Sequence, residues 1–145
     1  MNFNRRDALT TLGALALTPA TALAAAPAAA AKAPAVDLKV LADTAEVCVD
    51  AAKDCIEHCI AMLSTGDKSM ADCYAAVRAM KPMCEALEAL AKLNSPHLKA
   101  HAATCAKTCR DCEKACKPHA AEMAECKACM EACGKCAALC EKVAA

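Results

Sequence analysis

From Val36 to Val143 the apolar residues recur at steps of three, four, seven and eleven, the spacing of one helix face, with polar residues between them. Short clusters of turn residues cut this pattern into four stretches. The first predicts a helix from about Val36 to Ser64, ended by Ser64-Thr65-Gly66, where glycine supplies a left-handed turn. Asp67 or Ser69 caps the second, which continues to about Leu93 with a kink or short break at Pro82 and Lys81 as the boundary. Asn94-Ser95-Pro96 ends that helix and starts the third, with Ser95 as N-cap and Pro96 as first helical residue. The third stops by Lys117-Pro118, and the fourth runs from about His119 to Val143. Connections this short make neighbouring helices antiparallel, so the expected fold is all-α, an up-down-up-down four-helix bundle.

The residue type on the apolar stripes changes the picture. Fourteen cysteines, all after residue 47, occupy positions where leucine is usual. Cys126, Cys129, Cys133, Cys136 and Cys140 follow steps of 3, 4, 3 and 4, and Cys105, Cys109, Cys112 and Cys116 steps of 4, 3 and 4. Cys48, Cys55 and Cys59, and then Cys73 and Cys84, keep the same period more sparsely. All four helices therefore aim sulfur at one shared axis, giving a Cys-lined core. Trp is absent, Phe3 is the only phenylalanine and Tyr74 the only tyrosine, so the core is built from Ala, Leu, Met and Cys. Charged residues such as Lys107, Arg110, Asp111, Lys114, Glu131 and Lys135 fall opposite the sulfur, as a solvated surface does. With 17 basic against 17 acidic residues, nothing favours nucleic acid or a membrane surface as partner.

The N-terminal residues have a different character. Arg5-Arg6, the modestly apolar run Ala8 to Leu17, Pro19 and the small-residue site Ala22-Leu23-Ala24 make residues 1–24 a twin-arginine export signal, cleaved near Ala24. The Ala/Pro segment 25–35 is a tether, and 36–145 is the bundle. The expected location is periplasmic, with no membrane insertion once the signal is removed.

Several chemistries use cysteine. A lone cysteine on a seam is a small hydrophobe, a reading that fourteen exceed. A disulfide scaffold is the usual guess for an exported chain, but residues three or four apart on a helix have Cβ atoms roughly 5 to 6 Å apart, against about 3.5 to 4.5 Å in a disulfide; only cross-helix bonds remain open. Iron-sulfur proteins place cysteines on loops in a different order. Structural zinc needs four converging ligands, and a straight i, i+4 pair offers two. Two thiolates on one helix suit the near-linear coordination of Cu(I). Five Cys-x3-Cys pairs exist: Cys55 with Cys59, Cys105 with Cys109, Cys112 with Cys116, Cys129 with Cys133, and Cys136 with Cys140. Cys48, Cys73, Cys84 and Cys126 lack such a partner and need sulfurs from other helices. Sharing thiolates so that copper and cysteine are nearly equal in number keeps the interior neutral, which sets an expectation of about one Cu(I) per thiol.

The repeated Cys-x3-Cys pairs, their seam placement in four helices and the twin-arginine leader resemble the bacterial copper storage proteins, over essentially all of Val36 to Val143. The resemblance implies a non-enzymatic protein that stores multiple Cu(I) ions for copper enzymes, exchanges them with copper donor and acceptor proteins, and assembles as a homotetramer. A thiol-rich zinc buffer of metallothionein type, or a redox protein with a cysteine-bound centre, are the alternatives. Antiparallel topology gathers His58, Met62, Met70, His119 and Met123 at one end, with Met62, His119 and Met123 in register with the sulfur stripe. Leu41, Leu87, Leu98 and Val143 plug the other. The resemblance likewise puts His and Met ligands at an open end, matching His58, Met62 and Met70. Met80 is on the stripe but mid-bundle, and Met83 and His97 are expected to be structural or surface residues.

Overall fold

A computed structural model describes residues 36–145. The export signal expected over 1–24 and the tether expected over 25–35 lie outside the described residues. Helix α1 spans Leu38–Ser64, α2 Ala71–Lys92, α3 Leu98–Cys116 and α4 Ala124–Ala144, with a single 3-10 turn, Lys68–Met70, leading into α2. Each helix packs on the next, and α1 also packs on α4, which closes the ring of the expected bundle.

The ends of the helices follow from local chemistry. Asp37 caps α1, its Oδ1 accepting from the Lys39 backbone N–H at 2.8 Å. At the far end Gly66 takes φ +90° and donates to the Leu63 carbonyl at 3.1 Å. Asp67 then accepts from Ser69 N–H at 2.9 Å and opens the turn into α2. Asn94, at φ 47°, ends α2 in a Schellman arrangement: its N–H reaches Ala91 O at 3.1 Å, and Ser95 N–H reaches Leu90 O at 3.0 Å. Ser95 Oγ accepts from His97 N–H at 3.2 Å, the capping role its position predicts, although regular α-helix starts at Leu98.

The structure narrows one expectation and corrects another. Pro82 does not interrupt α2, which is one continuous helix. Its ring is on the exposed face, so the hydrogen bond it forfeits is on the solvent side, while Met80 and Cys84 on either side of it are fully buried. The start of α4 is also later than His119. Residues 117–122 close a series of turns, with His119 N–H donating to Cys116 O at 3.0 Å and Met123 N–H to His119 O at 2.9 Å. Met123 is extended, at φ −120° and ψ 112°, so helical register cannot be carried back from Cys126 to His119.

The core has no polar or charged member among the described residues. Alanines from Ala42 to Ala137 let the helices approach closely, and Leu41, Val77 and Leu87 fill the wider spaces. Tyr74 is outside the core, with the Arg78 guanidinium 5.4 Å from its ring centre. On the outer surface Arg110 binds Glu141 through two nitrogens, at 2.9 and 3.1 Å, tying α3 to α4. Exposed as it is, such a pair adds little to stability.

Candidate metal centre

All fourteen cysteines are free thiols with no solvent exposure. The helical period accounts for this: each Cys-x3-Cys pair stacks two sulfurs on the inner face one turn apart. Within helices, Cys105 and Cys109 have Sγ atoms 4.0 Å apart, and Cys112 and Cys116 3.9 Å. The other three expected pairs each fall inside a sulfur group whose members lie within 4.8 Å of one another.

The groups themselves cross between helices. Cys55, Cys59 and Cys73 join α1 to α2; Cys55, Cys116 and Cys129 join α1, α3 and α4; Cys112, Cys129 and Cys133, like Cys105, Cys136 and Cys140, join α3 to α4. A fifth group, Cys48, Cys84, Cys109 and Cys136, takes one sulfur from every helix. The four cysteines without an i, i+4 partner have sulfurs of other helices beside them. Cys73 lies 3.4 Å from Cys116 and 3.8 Å from Cys55, and Cys48 lies 3.8 Å from Cys133. Cys84 has Cys109 at 3.6 Å, Cys105 at 3.8 Å and Cys136 at 3.9 Å. Cys126 stands beside Cys73 and Cys55.

The four-sulfur group modifies one argument drawn from spacing. Isolated i, i+4 pairs offer zinc only two ligands, yet here four thiols converge. Tetrahedral zinc with Zn–S near 2.3 Å sets sulfurs about 3.8 Å apart, and Cys84 meets two of its partners at 3.6 and 3.9 Å. Ligand convergence alone therefore does not separate zinc from copper at this point in the bundle.

Met80 also belongs to this neighbourhood, a position that the stripe indicated and the expected ligand set omitted. Its Sδ accepts from the thiols of Cys48 at 3.5 Å and Cys84 at 3.3 Å.

Burial is one influence on the charge state of the thiol column. It pushes the Cys59 and Cys126 thiols up to about 12. At Cys84 the neighbouring thiols Cys105, Cys109, Cys136 and Cys48 do most of the raising, and burial adds to them. Cys73 goes the other way, because Cys116 and then Cys55 can donate to its sulfur. Most of the column is neutral thiol until a soft cation replaces the protons.

At the end where α1 stops and α2 starts, Met70 is completely buried, and Met62 and Met123 are partly buried against the core. His58 Nδ1 faces Glu125 Oε2 at 3.6 Å, while its Nε2 is buried with no hydrogen-bond partner, an orphaned donor or acceptor that a metal ion would satisfy. Asp54, Glu57 and Glu125 surround His58 in a shallow depression. His119 is not in line with this stripe. It lines an outer groove with Ser69, Asp72 and Lys114, because the 117–122 turns displace it from α4. The opposite end carries Leu41, Leu87 and Leu98, all buried, and Val143 is partly buried against the core. His101 Nε2 is held there by the Met83 carbonyl at 2.8 Å, and His97 is exposed.

Residues 35–145 match the family model described as copper storage protein. The chain belongs to the copper storage protein family. Among solved structures, apo copper storage protein 3 from Bacillus subtilis is 25% identical, covering 74% of this chain and 98% of its own, with a TM-score of 0.67. The Cu(I)-bound copper storage protein BsCsp3 is 27% identical, covering 70% of this chain and 99% of its own, with a TM-score of 0.51. No curated protein sequence gave a significant match. Family membership favours copper over zinc for the thiol groups of this storage protein, where ligand geometry did not.

Proposed function

We propose that this chain holds many Cu(I) ions inside its bundle, bound by thiolates of the fourteen cysteines, for supply to copper enzymes and for protection from free copper. The observation that carries this reading is the continuous run of buried sulfur, in which every group shares members with, or touches, the next. Such an interior suits storage better than catalysis, since it is built from thiols, thioethers and aliphatic carbons. Anaerobic Cu(I) titration of the reduced protein, followed by gel filtration and metal analysis, should give about one copper per thiol, the ratio at which a soft all-thiolate interior is neutral. Retention of one or two ions would overturn storage and favour a single redox centre. Zinc bound first should be displaced by Cu(I); failure of that exchange would support the zinc-buffer alternative.

Copper is read as passing through the end that carries His58, Met62 and Met70. Thioether and imidazole hold Cu(I) less tightly than thiolate, so they suit a passage. The unpartnered His58 Nε2 supports this reading. Met62→Leu combined with Met70→Leu keeps volume and apolarity. Transfer to a chelator should slow in that variant while total capacity stays nearly the same, and an unchanged transfer rate would remove these residues from the path.

Export by the twin-arginine route to the periplasm is supported by Arg5-Arg6 and the Ala22-Leu23-Ala24 site, and cell fractionation tests it. A homo-oligomer, tetrameric by family resemblance, is supported by Val40 and Val47, seven residues apart on α1 and 48% and 60% exposed. Light scattering of the mature chain measures that assembly. Copper donor and acceptor proteins are the remaining partners of this reading.

A further inference from the structure

We propose that Met80 is an interior Cu(I) ligand, forming with Cys48 and Cys84 a three-sulfur site at the middle of the column; the proposal rests on the copper-storage reading. Methionine inside a core is usually a flexible filler. Met80 departs from that role in what its sulfur touches. It is fully buried, and its Sδ accepts two thiol protons, at 3.3 Å from Cys84 on the next turn of α2 and at 3.5 Å from Cys48 across on α1. Both cysteines belong to the four-sulfur group completed by Cys109 and Cys136. A leucine would fill the same space, but it would leave both thiols without that acceptor.

Charge gives the thioether a purpose that another thiolate could not serve. A Cu(I) ion held by two unshared thiolates is a buried net negative charge, which is expensive in a core with no buried cation among the described residues. A thioether adds a soft donor and no charge. With Met80, one of Cys48 and Cys84 as thiolate and the other still a neutral thiol, a copper ion at this place is neutral before any thiolate is shared with a second ion. The site can therefore be occupied early, when few coppers are present to share ligands. It also favours Cu(I) over Zn(II), because thioether sulfur suits the softer ion.

The test is nuclear magnetic resonance of the full mature chain labelled at the methionine methyl carbons. Met80→Leu identifies the Met80 resonance by its loss. Titration uses Cu(I) and, in parallel, Ag(I), whose spin-½ nucleus couples through a metal–sulfur bond to a bound methionine methyl. The Met80 methyl should move at low Cu(I) loading and split with Ag(I), while Met83, whose backbone carbonyl faces His101, stays unsplit. Capacity of Met80→Leu should fall by about one Cu(I). A Met80 methyl that is unsplit and unmoved in a protein carrying its full load of metal overturns the proposal and leaves storage standing. Absence of metal uptake in wild type overturns storage itself. Should Met80→Leu not fold, through-space contacts to Cys48 and Cys84 assign the resonance, and the wild-type titration remains decisive.

Discussion

Filling the reduced protein with Cu(I) should raise its thermal midpoint by more than about 20 °C without adding helix. The apoprotein already has what a helical bundle requires. Asp37, Asp67 and Ser95 cap the helix starts they precede, and Leu41, Val77, Met80, Leu87 and the alanines form a closed core. Ala, Leu, Glu and Lys supply the intrinsic propensity. Ligands that bind only the folded state add stability by mass action, about 4 kcal/mol for one site at 1,000-fold saturation. Several such sites give on the order of 10 kcal/mol, and about 1 kcal/mol moves the midpoint of a 100-residue domain by roughly 4 to 8 °C. Far-ultraviolet circular dichroism with and without copper checks both parts. A metal-free, thiol-reduced chain that is coil would place it with proteins that fold only on metal binding.

The second large effect concerns sulfurs that belong to two groups. Cys136 is a member of the Cys48/Cys84/Cys109 set and of the Cys105/Cys140 set, whereas Cys59 belongs only to the set with Cys55 and Cys73. Cys136→Ala should lower Cu(I) capacity by about twice as much as Cys59→Ala, on the view that each group is a local site of soft ligands. Removing one buried sulfur atom should cost each variant only about 1 kcal/mol, comparable to a buried methyl group. Metal analysis after saturation measures the first quantity and urea unfolding of the apo variants the second. Equal losses would mean that copper is distributed over the column without regard to these groups. Total loss in either variant would mean one cooperative cluster.

The bundle itself could be read from spacing because a cysteine ladder of threes and fours has only one helical solution. Gly66 and Asn94 marked two of the connections by the left-handed conformations they adopt. The short break allowed for at Pro82 does not occur, because the packing of α2 on either side of an exposed proline keeps the helix continuous despite the missing N–H. His119 was misplaced for a related reason. A periodic pattern extends backwards through any residue, and nothing in Lys117 to Glu122 announced the turns that replace the first part of α4.

The grouping of sulfurs was not legible at all. Helical period fixes which face a cysteine occupies, but the partner it meets depends on the stagger and rotation of the neighbouring helices. Cys73 beside Cys116, 43 positions apart in the chain, is such a meeting. Met80 was visible on the stripe, but only its distances to Cys48 and Cys84 distinguish it from an ordinary filler.

A core assembled without aromatic rings is also optically quiet. One tyrosine, set outside the sulfur column, leaves the protein nearly transparent in the near ultraviolet. Thiolate-to-Cu(I) charge-transfer absorption will rise from that clear background, so the filling and emptying of the column can be followed in the protein's own spectrum, with no dye competing for the metal.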